Sequence, residues 1–355
     1  VAGGLLFTRF QETGSALLQP AIETFSPVWS ILLTLCFAVG LPVLLLASTS
    51  VLAQYLYTRV TTKDPYPLYA VSNAGSLLGL LSYPIFFEPF TNVSTQASRW
   101  TFGFGLFALV FIIVWNMVRR LQNSTPRESV DRTQKILTNR FQIVLLAAVP
   151  TFFLASMTEL LSQGIASFPL LWVVPLALYL ISFIIAFNER TRLRLLSISS
   201  LLTFPLTFAL LGLLPIMNTS ALVYGLTFFV SMMFFFSLSV YFHRRLFDVR
   251  PGVKYLGKFY VWLTVGGALG SGVVGMVLPL VLNSQIEVIL SVAAVALFLT
   301  KKELFNKTSI FKNHFSNIQQ SVLQDILTIA AVVFLMVTVY VGFTVDSQRN
   351  FYGVL

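Results

Sequence analysis

Ten apolar segments constrain this chain more than anything else in it. They run 30–57, 66–87, 100–118, 141–161, 166–187, 194–216, 221–242, 259–282, 286–300 and 326–344, the ninth being the shortest. A hydrocarbon core of about 30 Å is crossed by ~20 helical residues. Within it every backbone N–H and C=O must be satisfied inside the segment, so segments of this length are helices. The expected fold class is an all-α polytopic membrane protein with about ten transmembrane helices. Charge supports this, because only 10% of the residues are Asp, Glu, Lys or Arg, against about 25% in a soluble domain. Residues 1–27, with Pro20 and Pro27, read as an interfacial or extramembrane connector, and 28–345 as the transmembrane domain.

The formal net charge of +10 would suit nucleic acid, but its distribution points to lipid. All but Arg9, Arg99 and Arg349 of the 23 Lys and Arg fall in the loops after the first, third, fifth, seventh and ninth segments. Basic loops stay cytoplasmic and meet anionic headgroups. The expected location is the inner membrane of a cell, multi-pass, with Leu355 on the non-cytoplasmic side. The partners are the bilayer and, for a chain so poor in polar core groups, other membrane subunits or a second copy. Nucleic acid is not among them. One cysteine, Cys36, and two histidines, His243 and His314, leave no disulfide framework and no metal cluster. The chain opens on Val1 and reads as a piece of a longer protein.

The second segment holds a stretch of special composition, Tyr69-Ala-Val-Ser-Asn-Ala-Gly-Ser-Leu-Leu-Gly-Leu-Leu-Ser-Tyr-Pro84. On a helix Ser72 and Ser76, and Gly75 and Gly79, recur at i, i+4 and form a flat ridge. Such a ridge lets a second helix backbone approach closely in lipid. The eighth segment repeats the pattern: Tyr260, then Gly266, Leu269 and Gly270, then Pro279. The segments before them also match, Ser48-Thr-Ser-Val51 answering Ser237-Leu-Ser-Val240, and serine-to-tyrosine spacing is 21 residues in one copy and 23 in the other. Two such pairs, six segments apart and equally oriented, predict a parallel six-helix repeat of the kind that builds major-facilitator transporters.

With these residues in view, the chain resembles a known family. The run from Asp64 through Gly79 to Tyr83-Pro84 and Glu88-Pro89, the run Phe168–Phe187, and the run Phe259–Gly270 are similar to the membrane part of bacterial fused major-facilitator/spermidine-synthase-like proteins. The resemblance covers about residues 30–355. It implies that 346–355, with Arg349-Asn-Phe-Tyr-Gly-Val-Leu355, begins a soluble spermidine-synthase-like domain, and that further spans precede Val1. It also implies S-adenosylmethionine or its decarboxylated form as cofactor of that following domain, and none in the chain itself. The family often carries Cys-His-Gly-Glu-Leu at the end of the seventh span. This chain has Phe242-His-Arg-Arg-Leu246, which keeps the histidine and loses the acid.

The candidate sites are few. Ser72, Asn73, Gly75, Gly79, Thr264, Gly266 and Gly270 make a helix-packing face that doubles as a ligand-lining candidate, packing being the plainer reading. Glu159, Glu88 and Glu287 sit at outer ends of segments and form a candidate outer-face polar site. Glu159 would suit a cation or polyamine, although an interfacial carboxylate facing water is the simpler account. His243, Arg244 and Arg245 mark a cytoplasmic boundary and read as headgroup contacts or topology determinants rather than catalytic groups, and Tyr66, Tyr69, Trp100, Trp172 and Tyr260 as interfacial aromatics. No catalytic constellation is visible in the spacing. The expected function is the non-catalytic membrane domain of a spermidine-synthase-like fusion, the alternatives being a small-molecule or polyamine transporter and a structural subunit of a membrane complex.

Overall fold

The structure is a computed structural model that describes residues 33, 36, 40–122, 140–164, 172–188, 221–281, 349–350 and 353–354. The connector 1–27 and the segments 194–216, 286–300 and 326–344 lie outside the described residues, as does Glu287. What is described is almost entirely helical. The helices are α1 Leu41–Val60, α2 Leu68–Ser82, α3 Val93–Gln122, α4 Arg140–Gly164, α5 Val173–Ala186, α6 Ala221–Asp248, α7 Leu256–Gly272 and the short α8 Leu278–Val281. Among the described residues, five stretches are long and apolar enough to cross a membrane: Val43–Val60, Leu68–Phe87, Ser94–Arg120, Arg140–Glu159 and Val253–Val277. Near the end, β1 Arg349–Asn350 pairs antiparallel with β2 Gly353–Val354 as a tight hairpin.

Local chemistry places the helix ends. Pro42 stands in the first turn of α1, where its missing N–H costs nothing. Asp64 accepts a bond from the Tyr66 backbone N–H at 3.1 Å, and Pro65 and Pro67 hold the turn into α2. Asn92 caps α3 by accepting from the Thr95 N–H at 2.9 Å. Both ridge helices end alike. After Ser82 the chain widens into a π turn, Tyr83–Phe87, and after Gly272 into another, Val273–Val277. Each closes on an i→i+5 bond, from Glu88 N–H to the Tyr83 carbonyl and from Leu278 N–H to the Val273 carbonyl. A nearby proline, Pro84 or Pro279, supplies the reason. It removes a donor and crowds the carbonyl four residues back, so the helix opens by one residue.

The chain forms two compact units, residues 1–134 with 252–257, and residues 135–251 with 258–355. In the first unit α1 packs on α2 and α3. Little is buried there beyond Leu56, Tyr66, Gln54, Asn73 and Val118. Val71, Leu78, Phe102, Leu109 and Ile112 are more than half exposed. A water-facing surface so continuously apolar would be unstable, whereas facing lipid it carries no penalty.

The second unit holds the core. Here α5 lies along α6, and α4 packs on both. Phe153 of α4 is fully buried against Phe234 and Phe235 of α6, edge-on at 5.6 Å to one and stacked at 6.0 Å on the other. Met157, Leu238, Phe242 and Leu246 close the same interior.

Candidate functional site

The two ridges end up in different surroundings. On α7, Gly266 and Gly270 face α4 so closely that added side chains would not fit. A Cβ on Gly266 would stand 2.4 Å from the Val144 carbonyl oxygen, and one on Gly270 would stand 2.2 Å from that of Ala148. On α2, a Cβ on Gly75 or Gly79 would meet nothing within 4 Å. Ser72 is exposed, and its carbonyl accepts from Ser76 at 3.2 Å. Asn73 is buried but donates to the Tyr69 carbonyl of its own helix at 2.7 Å. Thr264 is exposed on α7 and donates to the Tyr260 carbonyl at 2.9 Å.

Beside the α7 ridge a cleft of about 660 Å³ opens between α4 and α7, lined by Thr151, Leu154, Ala155, Thr158, Glu159, Gly267 and Ser271. The sequence positions it. Thr151, Thr158 and Glu159 follow Pro150, which deletes an intrahelical bond in the middle of α4. Gly267 and Ser271 each follow a ridge glycine by one residue, so the cleft lies next to the contact those glycines make with α4. Arg140, at the start of α4, stacks its guanidinium over the Trp262 ring of α7 at 5.8 Å. Glu159 is half-buried at the far end of the cleft from that pair. Of the two candidate carboxylates among the described residues, Glu159 lines the cleft and Glu88 is exposed after the first π turn.

A second polar node joins α5 to α6. His243 is wholly buried, its Nδ1 lies 2.8 Å from Ser182 Oγ, and its ring stacks on Phe183 at 3.5 Å. Tyr179 meets the ring edge-on at 5.0 Å. The reading of His243 as a headgroup contact is therefore corrected: it points inward onto α5. Next to it Arg244 is only part-buried, donating to the Ala186 and Asn188 carbonyls at 3.2 and 2.7 Å and pairing with Asp248 at 3.3 Å. Those bonds satisfy the carbonyl end of α5 and set a cation against its dipole. Tyr66 and Tyr260 are likewise buried and do not belong to an exposed belt, while Trp100 and Trp172 are about half exposed.

The Ser182–His243 pair escaped the sequence because 61 residues separate its members. It has the partners of a nucleophile and base but not their arrangement. Ser182 donates its one proton to the Tyr179 carbonyl at 2.6 Å, so Nδ1–H must donate to the hydroxyl. That leaves Nε2 as a buried acceptor with no hydrogen-bond partner. Burial pushes the imidazole well below its ordinary pKa, which keeps it neutral. A fully buried hydroxyl that accepts from the base, and does not donate to it, is no nucleophile. The node is a joint.

Among the described residues no group of His, Cys, Asp and Glu is assembled to hold a metal. Comparison of the chain with family models, with curated proteins and with solved structures finds no match.

Proposed function

We propose that the chain is the membrane domain of a spermidine-synthase-like fusion protein, and that this domain performs no covalent chemistry. The observation that carries the reading is the pair of ridge helices. In both, a tyrosine stands six residues before the first of two glycines at i, i+4, and the helix opens into a π turn within four residues of the second glycine. Their agreement in sequence and in backbone supports a duplicated, major-facilitator-like design. In this reading the domain sits in a bacterial inner membrane with basic loops inside and Leu355 outside. A donor such as decarboxylated S-adenosylmethionine belongs to the domain after Leu355.

The test uses the full-length protein. Aminopropyl transfer from decarboxylated donor to putrescine is the expected activity, and absence of turnover would remove the enzyme half of the proposal. Reporter fusions after Leu355 and in the 119–140 loop decide the orientation.

A second reading, small-molecule binding or transport, is favoured by the cleft between α4 and α7. Transporters place ligand groups between packed helices, and this cleft adjoins the close approach of Gly266 and Gly270 to the α4 backbone.

A further inference from the structure

We propose that the end of α5, residues 183–188, is a latch over His243 that a proton releases. The inference goes beyond the fusion-protein reading, since it needs only the contact between α5 and α6.

The latch combines ring packing with hydrogen bonds. Phe183 stacks on the imidazole at 3.5 Å, Tyr179 meets it edge-on, and Ser182 accepts from Nδ1–H. One turn further, Phe187 packs edge-on against Phe247 at 5.3 Å, and Arg244 holds the Ala186 and Asn188 carbonyls. His243 beneath them is wholly buried, yet water is near, because Asn188 is exposed. His243 itself stands one residue past the seventh apolar segment.

The closed latch has no place for a second ring proton. Nδ1–H is committed to Ser182, and Nε2 is buried with no hydrogen-bond partner. A proton taken from water by Nε2 would make an imidazolium whose new N–H finds no acceptor. Nearby charges do not help. The next two residues of α6, Arg244 and Arg245, are cations, and Asp248 is already paired with Arg244 at 3.3 Å. Tyr241 of α6 and Tyr179 of α5 are uncharged in this pH range. The titratable groups of α4 are Arg140, which lies over Trp262, and Glu159, which lines the α4–α7 cleft. The Phe183 face does attract a cation, but burial of a charged donor without an acceptor costs more. Once the latch lifts, water hydrates the imidazolium. Neutral His243 therefore belongs to the closed latch and protonated His243 to the open one.

The sign and slope follow from linkage. An imidazole in water titrates near 6.5. Below about pH 6.5 the open latch takes a proton that the closed latch refuses, so opening should rise about tenfold per pH unit until the buried ring itself titrates.

The test measures hydrogen exchange in mixed micelles from pH 7.5 to 5, corrected for intrinsic exchange, beside global unfolding under the same conditions. The amides of 183–188 should open more often than the whole protein unfolds. Their opening constant should rise about tenfold per pH unit below about 6.5. His243→Phe keeps a ring against Phe183 but takes no proton, and it should abolish the rise. His243→Gln serves should that variant fold poorly. The proposal is overturned if the opening constant stays flat across the range, if it equals the constant for global unfolding, or if the rise survives in both variants.

Discussion

Replacing Gly270 with alanine adds a single methyl group at the tightest point of the α4–α7 contact. Its Cβ would stand 2.2 Å from the Ala148 carbonyl oxygen and 2.3 Å from Thr151 Oγ1, where real Cβ contacts essentially never fall under 3.0 Å. The carbonyl belongs to a helix backbone and cannot rotate away. Thr151 is held between the Ala147 and Ala148 carbonyls. The helices must therefore separate by on the order of an ångström, losing close packing along the ridge. Overpacking of this kind costs about 1–3 kcal/mol, offset by roughly 0.8–1.0 kcal/mol of helix propensity gained on replacing glycine. The control is Gly79→Ala on α2, where the methyl group meets nothing within 4 Å and only the propensity gain applies. The two variants should differ by about 1–3 kcal/mol, with Gly270→Ala the less stable. Reversible unfolding in mixed micelles, followed by circular dichroism, measures that difference. Equal stability of the two, within about 0.5 kcal/mol, would refute the backbone-contact argument.

Other outcomes follow from the second unit. Phe153→Ala empties a fully buried position flanked by two α6 rings and should cost about 3–5 kcal/mol, read by the same unfolding assay. His243 has a pKa held well below 6.5 by burial, so below pH 6.5 the unfolded chain takes a proton that the folded chain refuses. Stability should thus fall as pH drops through that value and level off below the folded pKa; a flat profile between pH 7.5 and 5 would contradict the neutral buried imidazole. His243→Phe should remove that slope. Arg244→Gln withdraws the cation from the end of α5, with an expected loss of about 1 kcal/mol, and hydrogen exchange should rise first at Phe187 and Asn188.

Much of the helical layout was legible because lipid leaves the backbone few choices. Segments 66–87 and 141–161, read from apolar length alone, reappear as Leu68–Phe87 and Arg140–Gly164. The ridge glycines were equally legible, as composition at i, i+4. What they touch was not: Gly266 meets α4 because of contacts more than a hundred residues away in sequence, and nothing local distinguishes it from Gly75. His243 was misread for a related reason. Standing before two arginines it looks interfacial, and only the orientation of α6 against α5 turns it inward while Arg244 turns out. The cleft hydroxyls were passed over because serine and threonine are common in membrane helices, and the direction of their protons is a property of the folded helix.

The contact at Gly266 and Gly270 also has a mechanical side. Side-chain packing can yield by rotamer changes, but backbone lying on backbone has none to make. At this point α4 and α7 can neither twist past one another nor be pried apart gradually. They can pivot. Glu159 is the lining residue of α4 furthest along the chain from that fixed point, so a small change in the angle between the helices would move the lining most at the carboxylate end. The π turn that follows α7, one residue wider than the helix before it, is the natural place for such a change of angle to be absorbed.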